Sequence, residues 1–489
     1  MLKHLLLILT LGLTLGEGSV TADTVDLPQM GDTSGAIISP EQEKALGEAF
    51  MRELRRALKL IDDPESQEYL QALGYRLASN ADYSSDFTFF IVDDGTINAF
   101  AAPGGYIGIH TGLVLATQSE SELASVLAHE IAHITQRHLP RAFEQASQMS
   151  LPMAAALIAA IVLGQNVAHV TEATIATTLA GAQQSSINFT RANEKEADNI
   201  GMQLLAASHF DPRGMPDFFG RLQQNFRYYD SKLPEFLSSH PVTTTRIAES
   251  RSRAEQYPMN SESGDSFYRL FQAKTRVAST TNNSDTLAYF KAGYNRGTAT
   301  EQEVARYGYA LALLKTKQLK EAHIEAQKLL RSKPEKTAFI LLTAAIENEQ
   351  GHYAEAISLL ENALLLYPHH HPLTLLYGEI LINAGEADKA RKLILQQMRY
   401  RKADPQLYKL YAHAAEAAGF TADSHEALAE YYYLIGELAT AVRQLELASS
   451  LNQQKDFYLQ SRLDARLNQF RAELAIIAPS RRPSHDKFR

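Results

Sequence analysis

Ser121-Glu122-Leu123-Ala124-Ser125-Val126-Leu127-Ala128-His129-Glu130-Ile131-Ala132-His133-Ile134 is the stretch that decides how this chain is read. Leu123, Val126, Leu127 and Ile134 recur at helical spacing along one apolar side. On such a helix His129 and His133 leave the same face about one turn apart, which is the spacing that lets two imidazoles share one zinc ion. Glu130 points to the side of that pair, where a carboxylate can take a proton from metal-bound water and later pass it to a leaving amine. A helix this rich in alanine and apolar residues buries His and Glu only at a cost, and a metal site removes that cost. A His-Glu-x-x-His string arises by chance in roughly a few per cent of chains this long, so its surroundings must support the reading.

Upstream, Phe87 to Val92 is aromatic and β-branched and runs into the turn signal Asp93-Asp94-Gly95. Ile97 to Ala101 and Tyr106 to His110 read as further strands around Pro103-Gly104-Gly105. A small sheet therefore precedes the metal helix. Earlier still, Ser39-Pro40-Glu41-Gln42 has the form of a capping box and opens a helix to about Leu60, and a second helical stretch covers Tyr69 to Ala78. Downstream, Leu151 to Leu163 is almost wholly apolar, and small or apolar residues continue to Ala182 with Glu172 as the only carboxylate or fixed charge. That run is too short to span a bilayer, which favours a buried helical hairpin over a membrane-dipping or flap segment.

Zinc in a peptidase site needs a third protein ligand, and the chain has no cysteine to offer. Glu194 and Asp198 are the leading candidates. They lie four apart in Arg191-Ala192-Asn193-Glu194-Lys195-Glu196-Ala197-Asp198, so that one can ligate while the other orients a ligand histidine through its free ring nitrogen. Spacing alone does not separate this from an ordinary charged surface helix. His138, five residues beyond His133, turns off the shared face and is not read as a ligand. His369-His370-His371 reads as an exposed loop rather than a second metal site, and His240-Pro241, taken alone, as a turn before a helix.

The second half of the chain repeats itself. Ala322, Ala356 and Ala390 fall 34 residues apart, as do Gly351, Gly385 and Gly419, and Pro334 and Pro368. This period resembles the tetratricopeptide repeat, in which paired helices approach closely only where a small residue sits at the crossing, and stacked pairs bury each other's faces. Gly436 to Ala441 repeats the glycine-to-alanine spacing and suggests a fourth, irregular unit. The polar stretch Arg276 to Asp285 marks a linker before the repeats.

A formal net charge of -9 and the lack of a basic, aromatic-bearing stripe exclude nucleic acid as an expected partner. Lys3, the apolar run Leu5 to Leu15 and Val20-Thr21-Ala22 read as a signal peptide with a small-x-small cleavage site and a mature start near Asp23, an uncleaved anchor being the weaker alternative because the run is short for a bilayer. The expected division is 1-22 signal peptide, 23-265 peptidase domain, 266-285 linker, 286-470 repeat domain and 471-489 basic tail.

His129-Glu130-x-x-His133 with Glu194-x-x-x-Asp198, preceded by Asn98-Ala99-Phe100-Ala101-Ala102-Pro103-Gly104-Gly105, resembles the M48 family of zinc peptidases. The resemblance implies an α+β, predominantly helical chain: a gluzincin-like domain with a small sheet, binding one zinc ion, followed by an α-solenoid of repeats. It implies Glu194 as third ligand, Asp198 as partner of a ligand histidine, and the strand around Asn98 to Phe100 as an edge to which an extended peptide adds by β-pairing. His240-Pro241-Val242-Thr243-Thr244-Thr245-Arg246 matches a further family element whose arginine faces the substrate or the tetrahedral intermediate, so Arg246 joins Glu130 and Asp198 as an expected catalytic group.

The signal peptide and the repeats make the chain similar to periplasmic members of that family that serve outer-membrane protein assembly. This implies outer-membrane β-barrel proteins as substrates or clients, contact with the assembly machinery through the repeats, and peripheral membrane contact. If His240 joined His129, His133 and Glu194 on the metal, no position would remain open and the site would be latent. The competing reading is a repeat-based adaptor or chaperone whose peptidase site is vestigial or shut. A membrane-embedded peptidase ranks lower, because no long uninterrupted apolar stretch follows the signal.

Overall fold

The computed structural model describes residues 39-83, 86-138, 154-155, 191-226, 235-258, 265-452 and 456-477. The stretch expected to be a signal peptide, nearly all of the apolar stretch 151-182 and the end of the expected basic tail lie outside the described residues. Of the apolar stretch only Ala154 and Ala155 are described, and both are buried.

Helix α1 (Pro40–Ala57) opens on the capping box: Ser39 accepts the Gln42 N–H, and the Gln42 side chain accepts the Ser39 N–H. Helix α2 (Pro64–Ala78) starts on Asp63, whose carboxylate accepts the Ser66 N–H. Strands β1 (Thr88–Val92), β2 (Ala99–Ala102) and β3 (Tyr106–His110) form one sheet in the order β1-β3-β2. β1 runs parallel to β3 and β2 antiparallel to it. The strands lack a polar side because both faces are covered. Phe89, Ile91, Ala99, Ala101, Ile107 and Ile109 join the main core on one face, while Phe90, Val92, Phe100 and Ala102 meet α1 on the other.

After α3 (Thr111–Ala116) comes α4 (Glu120–Thr135), the helix that carries His129, Glu130 and His133. It is buried along its whole length between the sheet, α2, α5 (Arg191–Ala207) and α6 (Gly214–Phe226). The approach of α5 depends on Gly201, where a Cβ would sit 3.1 Å from the His129 nitrogen. α7 (Glu235–Ser239) and α8 (Thr244–Ala254) complete the unit around the metal helix.

The expected linker 266-285 is mostly helical. α9 (Asp265–Ser279) buries Tyr268 and Phe271, its Tyr268 hydroxyl donates to the Thr117 carbonyl at 2.8 Å, and its Lys274 lies 2.9 Å from Asp63 at the start of α2. The polar Ser/Thr/Asn run is therefore a helix end and a cap: Asn282 accepts the N–H groups of Ser284 and Asp285 at the start of α10 (Asn283–Gly293). α9 thus packs on the peptidase half through Thr117 and Asp63 within the stretch expected to be a linker.

The repeats comprise α11 (Ala299–Lys315) with α12 (Leu319–Ser332), α13 (Thr337–Gln350) with α14 (Tyr353–Leu366), α15 (His371–Asn383) with α16 (Ala387–Met398), and α17 (Pro405–Ala417) with α18 (Thr421–Leu434). α19 (Leu438–Leu451) and α20 (Phe457–Ile477) end the solenoid. Ala322, Ala356, Ala390 and Ala441 have no exposed surface, as residues at helix crossings should. Gly351, Gly385, Gly419 and Gly436 all have φ between 81 and 84°, which ends one helix in the left-handed conformation before the next begins.

Lys317 stands one period before Gly351 and takes the same turn with φ 59°. A side chain in that conformation costs about 1 kcal/mol that glycine avoids, whereas its exposed ion pair with Glu349 offsets only a few tenths. Lys317→Gly should therefore stabilise the repeat domain by about 1 kcal/mol in denaturant unfolding; a loss of stability would contradict the turn assignment.

The histidine run differs from the expected exposed loop. His371 is buried at the start of α15 with Nε2 2.9 Å from Asp404 Oδ2, the residue that caps α17, so it ties one repeat to the next. It belongs to no metal-ligand cluster among the described residues. The solenoid also returns to the peptidase unit: Arg55 donates to the Leu434 carbonyl and Arg401 pairs with Glu68 at 2.8 Å. Arg55 also borders a cleft of about 980 Å³ lined by leucines interspersed with charged residues. Among the described residues no helix is long and apolar enough to cross a membrane.

Candidate metal centre

Four side chains from three places in the chain converge beside α4. His129 Nε2 lies 3.0 Å from His133 Nε2 and 3.3 Å from His240 Nδ1. Glu194 Oε1 lies 2.9 Å from His240 Nδ1 and 3.4 Å from His133 Nε2, and its Oε2 lies 3.6 Å from His129 Nε2. All four residues are buried. Tetrahedral donors about 2.1 Å from zinc stand about 3.4 Å from one another, and these separations bracket that value.

Charge gives an independent test. The buried carboxylates of Glu194 and Asp198 pair with one guanidinium, Arg246, and the buried Glu130 carboxyl lies close by, so the pocket is acid-rich and suits a divalent cation. Burial opposes a charged His129, but its hydrogen bonds with Asp198 and Glu194 win and push it up to about 10. Burial holds His133 well below its usual value, as suits a ligand imidazole. The residues present therefore fit a single zinc ion held by His129, His133, Glu194 and His240.

Asp198 and Arg246 hold this set in place. Asp198 Oδ1 is 3.1 Å from His129 Nδ1, so Asp198 accepts the ring proton and leaves Nε2 to the metal. Arg246 donates through Nε and Nη2 to both Asp198 oxygens at 2.8 Å, and its Nη1 lies 2.7 Å from Glu194 Oε2. The arginine was expected to face the substrate. In this conformation its donors are occupied by Asp198, Glu194 and the Pro241 carbonyl, and it reads as a brace for the ligands.

Glu130 is buried beside the ligands but is not one of them. Burial raises its pKa against the attraction of His240 and His129, and its carboxylate accepts from the Ala101 backbone N–H. Its Oε1 has no hydrogen-bond partner among the described residues and lies 3.6 Å from His240 Nε2. A buried carboxylate oxygen left unpaired next to a metal site is placed to take a proton. Ala101 lies on β2, the edge strand of the sheet, so Glu130 is tied to the edge on which an extended peptide was expected to add.

His138 and Glu196 were not singled out from the sequence as parts of the site. His138 Nδ1 lies 3.0 Å from His133 Nδ1, and its Nε2 lies 3.3 Å from Glu196 Oε2. A helical wheel places His138 away from His133, but the helix has already ended. Arg137 takes φ 49° and the His138 N–H bonds the His133 carbonyl at 2.9 Å, folding His138 back onto the ligand.

Comparison with known proteins agrees with this geometry. The sequence profile of peptidase family M48 matches residues 64–254, and a tetratricopeptide-repeat profile matches residues 348–414. The β-barrel assembly-enhancing protease of Escherichia coli is 35% identical over 474 residues, covering 96% of this chain and 96% of that protein. This chain belongs to peptidase family M48.

The corresponding protein of Yersinia pestis is 36% identical over 449 residues, 91% of both chains. A mitochondrial metalloendopeptidase of Arabidopsis thaliana is 31% identical over 151 residues, 31% of this chain and 28% of that protein. As an M48 peptidase the chain is a zinc metalloendopeptidase, with a mainly helical fold, a three-stranded sheet and a C-terminal repeat domain.

Proposed function

We propose that this M48 peptidase is exported to the periplasm, where it degrades misfolded or stalled outer-membrane β-barrel proteins and assists the assembly of others. The identity that runs through both the peptidase and repeat halves to proteases named for β-barrel assembly carries this reading. The repeats and the leucine-lined cleft supply a surface for clients or for the assembly machinery. A zinc ion held by His129, His133 and Glu194 would supply Lewis acidity to the scissile carbonyl and to the attacking water. This chain's own residues do the rest: Glu130 accepts the proton of the attacking water and passes it to the leaving amine, while Asp198 and Arg246 fix the ligands. The outer edge of β2, which no other strand pairs among the described residues, receives the substrate backbone beside Glu130.

The position of His240 supports a latent resting site. His240 stands among the donors, so with zinc bound four protein groups would hold the ion and leave no tetrahedral position open. The same segment reaches the edge strand, since the Phe236 N–H bonds the Ile97 carbonyl at 3.3 Å and the His240 N–H bonds the Phe236 carbonyl at 2.8 Å. Withdrawal of His240 would therefore both open a coordination position and loosen the cover over the approach to β2. His240→Ala should keep zinc on three ligands and cleave casein and an unfolded outer-membrane barrel protein faster than the wild type. A site open about one tenth of the time gains about tenfold. Loss of cleavage with zinc intact would reject latency. Failure of either protein to cut barrel substrates while cutting casein would reject the assignment of clients. The latent geometry also favours a second role as a repeat-based adaptor, exercised whenever the site is shut.

A further inference from the structure

The two ligand histidines of α4 are held from behind in different ways, although both supports end on α5. His129 is held directly by Asp198. His133 meets another imidazole, with His138 Nδ1 3.0 Å from its own Nδ1 and the rings 71° apart, and His138 in turn meets Glu196. We propose that His138, backed by Glu196, is the positioning residue for His133, fixing the tautomer and ring plane with which it holds the metal.

Proton placement follows from the ligand atom. His133 presents Nε2 to the other donors, so as a neutral ligand it carries its proton on Nδ1. That proton needs an acceptor, and the atom facing it is His138 Nδ1, which must then be unprotonated. The His138 proton is left on Nε2, where Glu196 Oε2 accepts it at 3.3 Å. Every N–H in the chain has an acceptor, and no other tautomer of His138 satisfies both contacts. The His138 side chain is only 6% exposed, which keeps water from competing for the inner bond, whereas Glu196 is 53% exposed and makes the weaker outer one. Glu194, Glu196 and Asp198 thus give α5 a ligand and the ends of both supports.

The inference rests on zinc being held through His133, and the test separates the two. Zinc affinity is measured by competition with a chromogenic chelator for the full mature wild type, His138→Ala, His138→Asn and Glu196→Ala, with thermal unfolding in excess chelator as the control for folding. His138→Ala is expected to weaken zinc binding by about 10–100-fold, the loss typical when the partner of a ligand histidine is removed. His138→Asn should recover most of that loss, because its Oδ1 can occupy the position of the accepting Nδ1, and Glu196→Ala should lose less than His138→Ala. Zinc affinity of His138→Ala within about twofold of wild type would overturn the proposal, as would an Asn variant no tighter than Ala at equal thermal stability. If His138→Ala does not fold, wild-type affinity in the Asn variant together with a measurable loss in Glu196→Ala supports it, and no loss in Glu196→Ala overturns it. A wild-type protein that binds no zinc would instead reject the metal site itself.

Discussion

Glu130→Gln should bind zinc as tightly as the wild type and cleave about 10²–10⁴-fold more slowly, the usual contribution of a positioned general base. The substitution is nearly isosteric, and its amide oxygen can still accept from the Ala101 N–H, so neither packing nor the donor set changes. What is lost is a carboxylate oxygen able to take a proton beside the metal. The comparison is best made in the His240→Ala background, where a low basal rate does not hide the effect. Zinc content by elemental analysis and casein cleavage by gel or fluorescence decide it. A Gln variant that cleaves as fast as its parent would remove Glu130 from the mechanism.

Glu194→Ala should lose both zinc and activity, with a drop in metal affinity larger than the roughly 10–100-fold that follows removal of an outer partner. The change deletes a ligand oxygen and also removes one of the two carboxylates that pair with Arg246, whose Nη1 lies 2.7 Å from Glu194 Oε2, leaving Asp198 alone to balance it. A buried guanidinium beside a divalent cation opposes binding, so the two losses reinforce each other. Zinc retained at one per chain after dialysis would show that Glu194 is not a ligand. The Asp198 carboxylate, which touches His129 Nδ1, would then be the next group to test.

Much of this site was legible because its chemistry is spelled by local spacing. His129 and His133 share a face of α4, and Glu194 and Asp198 share a face of α5, so helical periodicity alone put each pair together. The repeat was legible for a similar reason: the glycines and alanines mark a left-handed turn and a helix crossing that recur with the period of the unit. The edge strand too was correctly read, since β2 lies at the end of the order β1-β3-β2.

What escaped depended on the point where a helix stops. His138 was placed by a wheel that assumed the helix continued, and one residue of positive φ at Arg137 reversed its direction. The stretch 266-285 holds more helix than its polarity suggested, because Asn282 is polar for capping α10, while α9 just before it buries Tyr268 and Phe271. Arg246 was correctly drawn to the site, but pairing distances were needed to show its donors turned onto Asp198 and Glu194.

The arrangement of acids on α5 has a further consequence. His129 and His133 lie before the long stretch that leads to Glu194, and His240 lies well beyond it. A single ion gripped by all four works as a cross-link between distant parts of the chain, closing two large loops without a disulfide in a protein that has no cysteine. Such an ion would add, to the packing of α5 on α4 at Gly201, a link that needs no thiol oxidation.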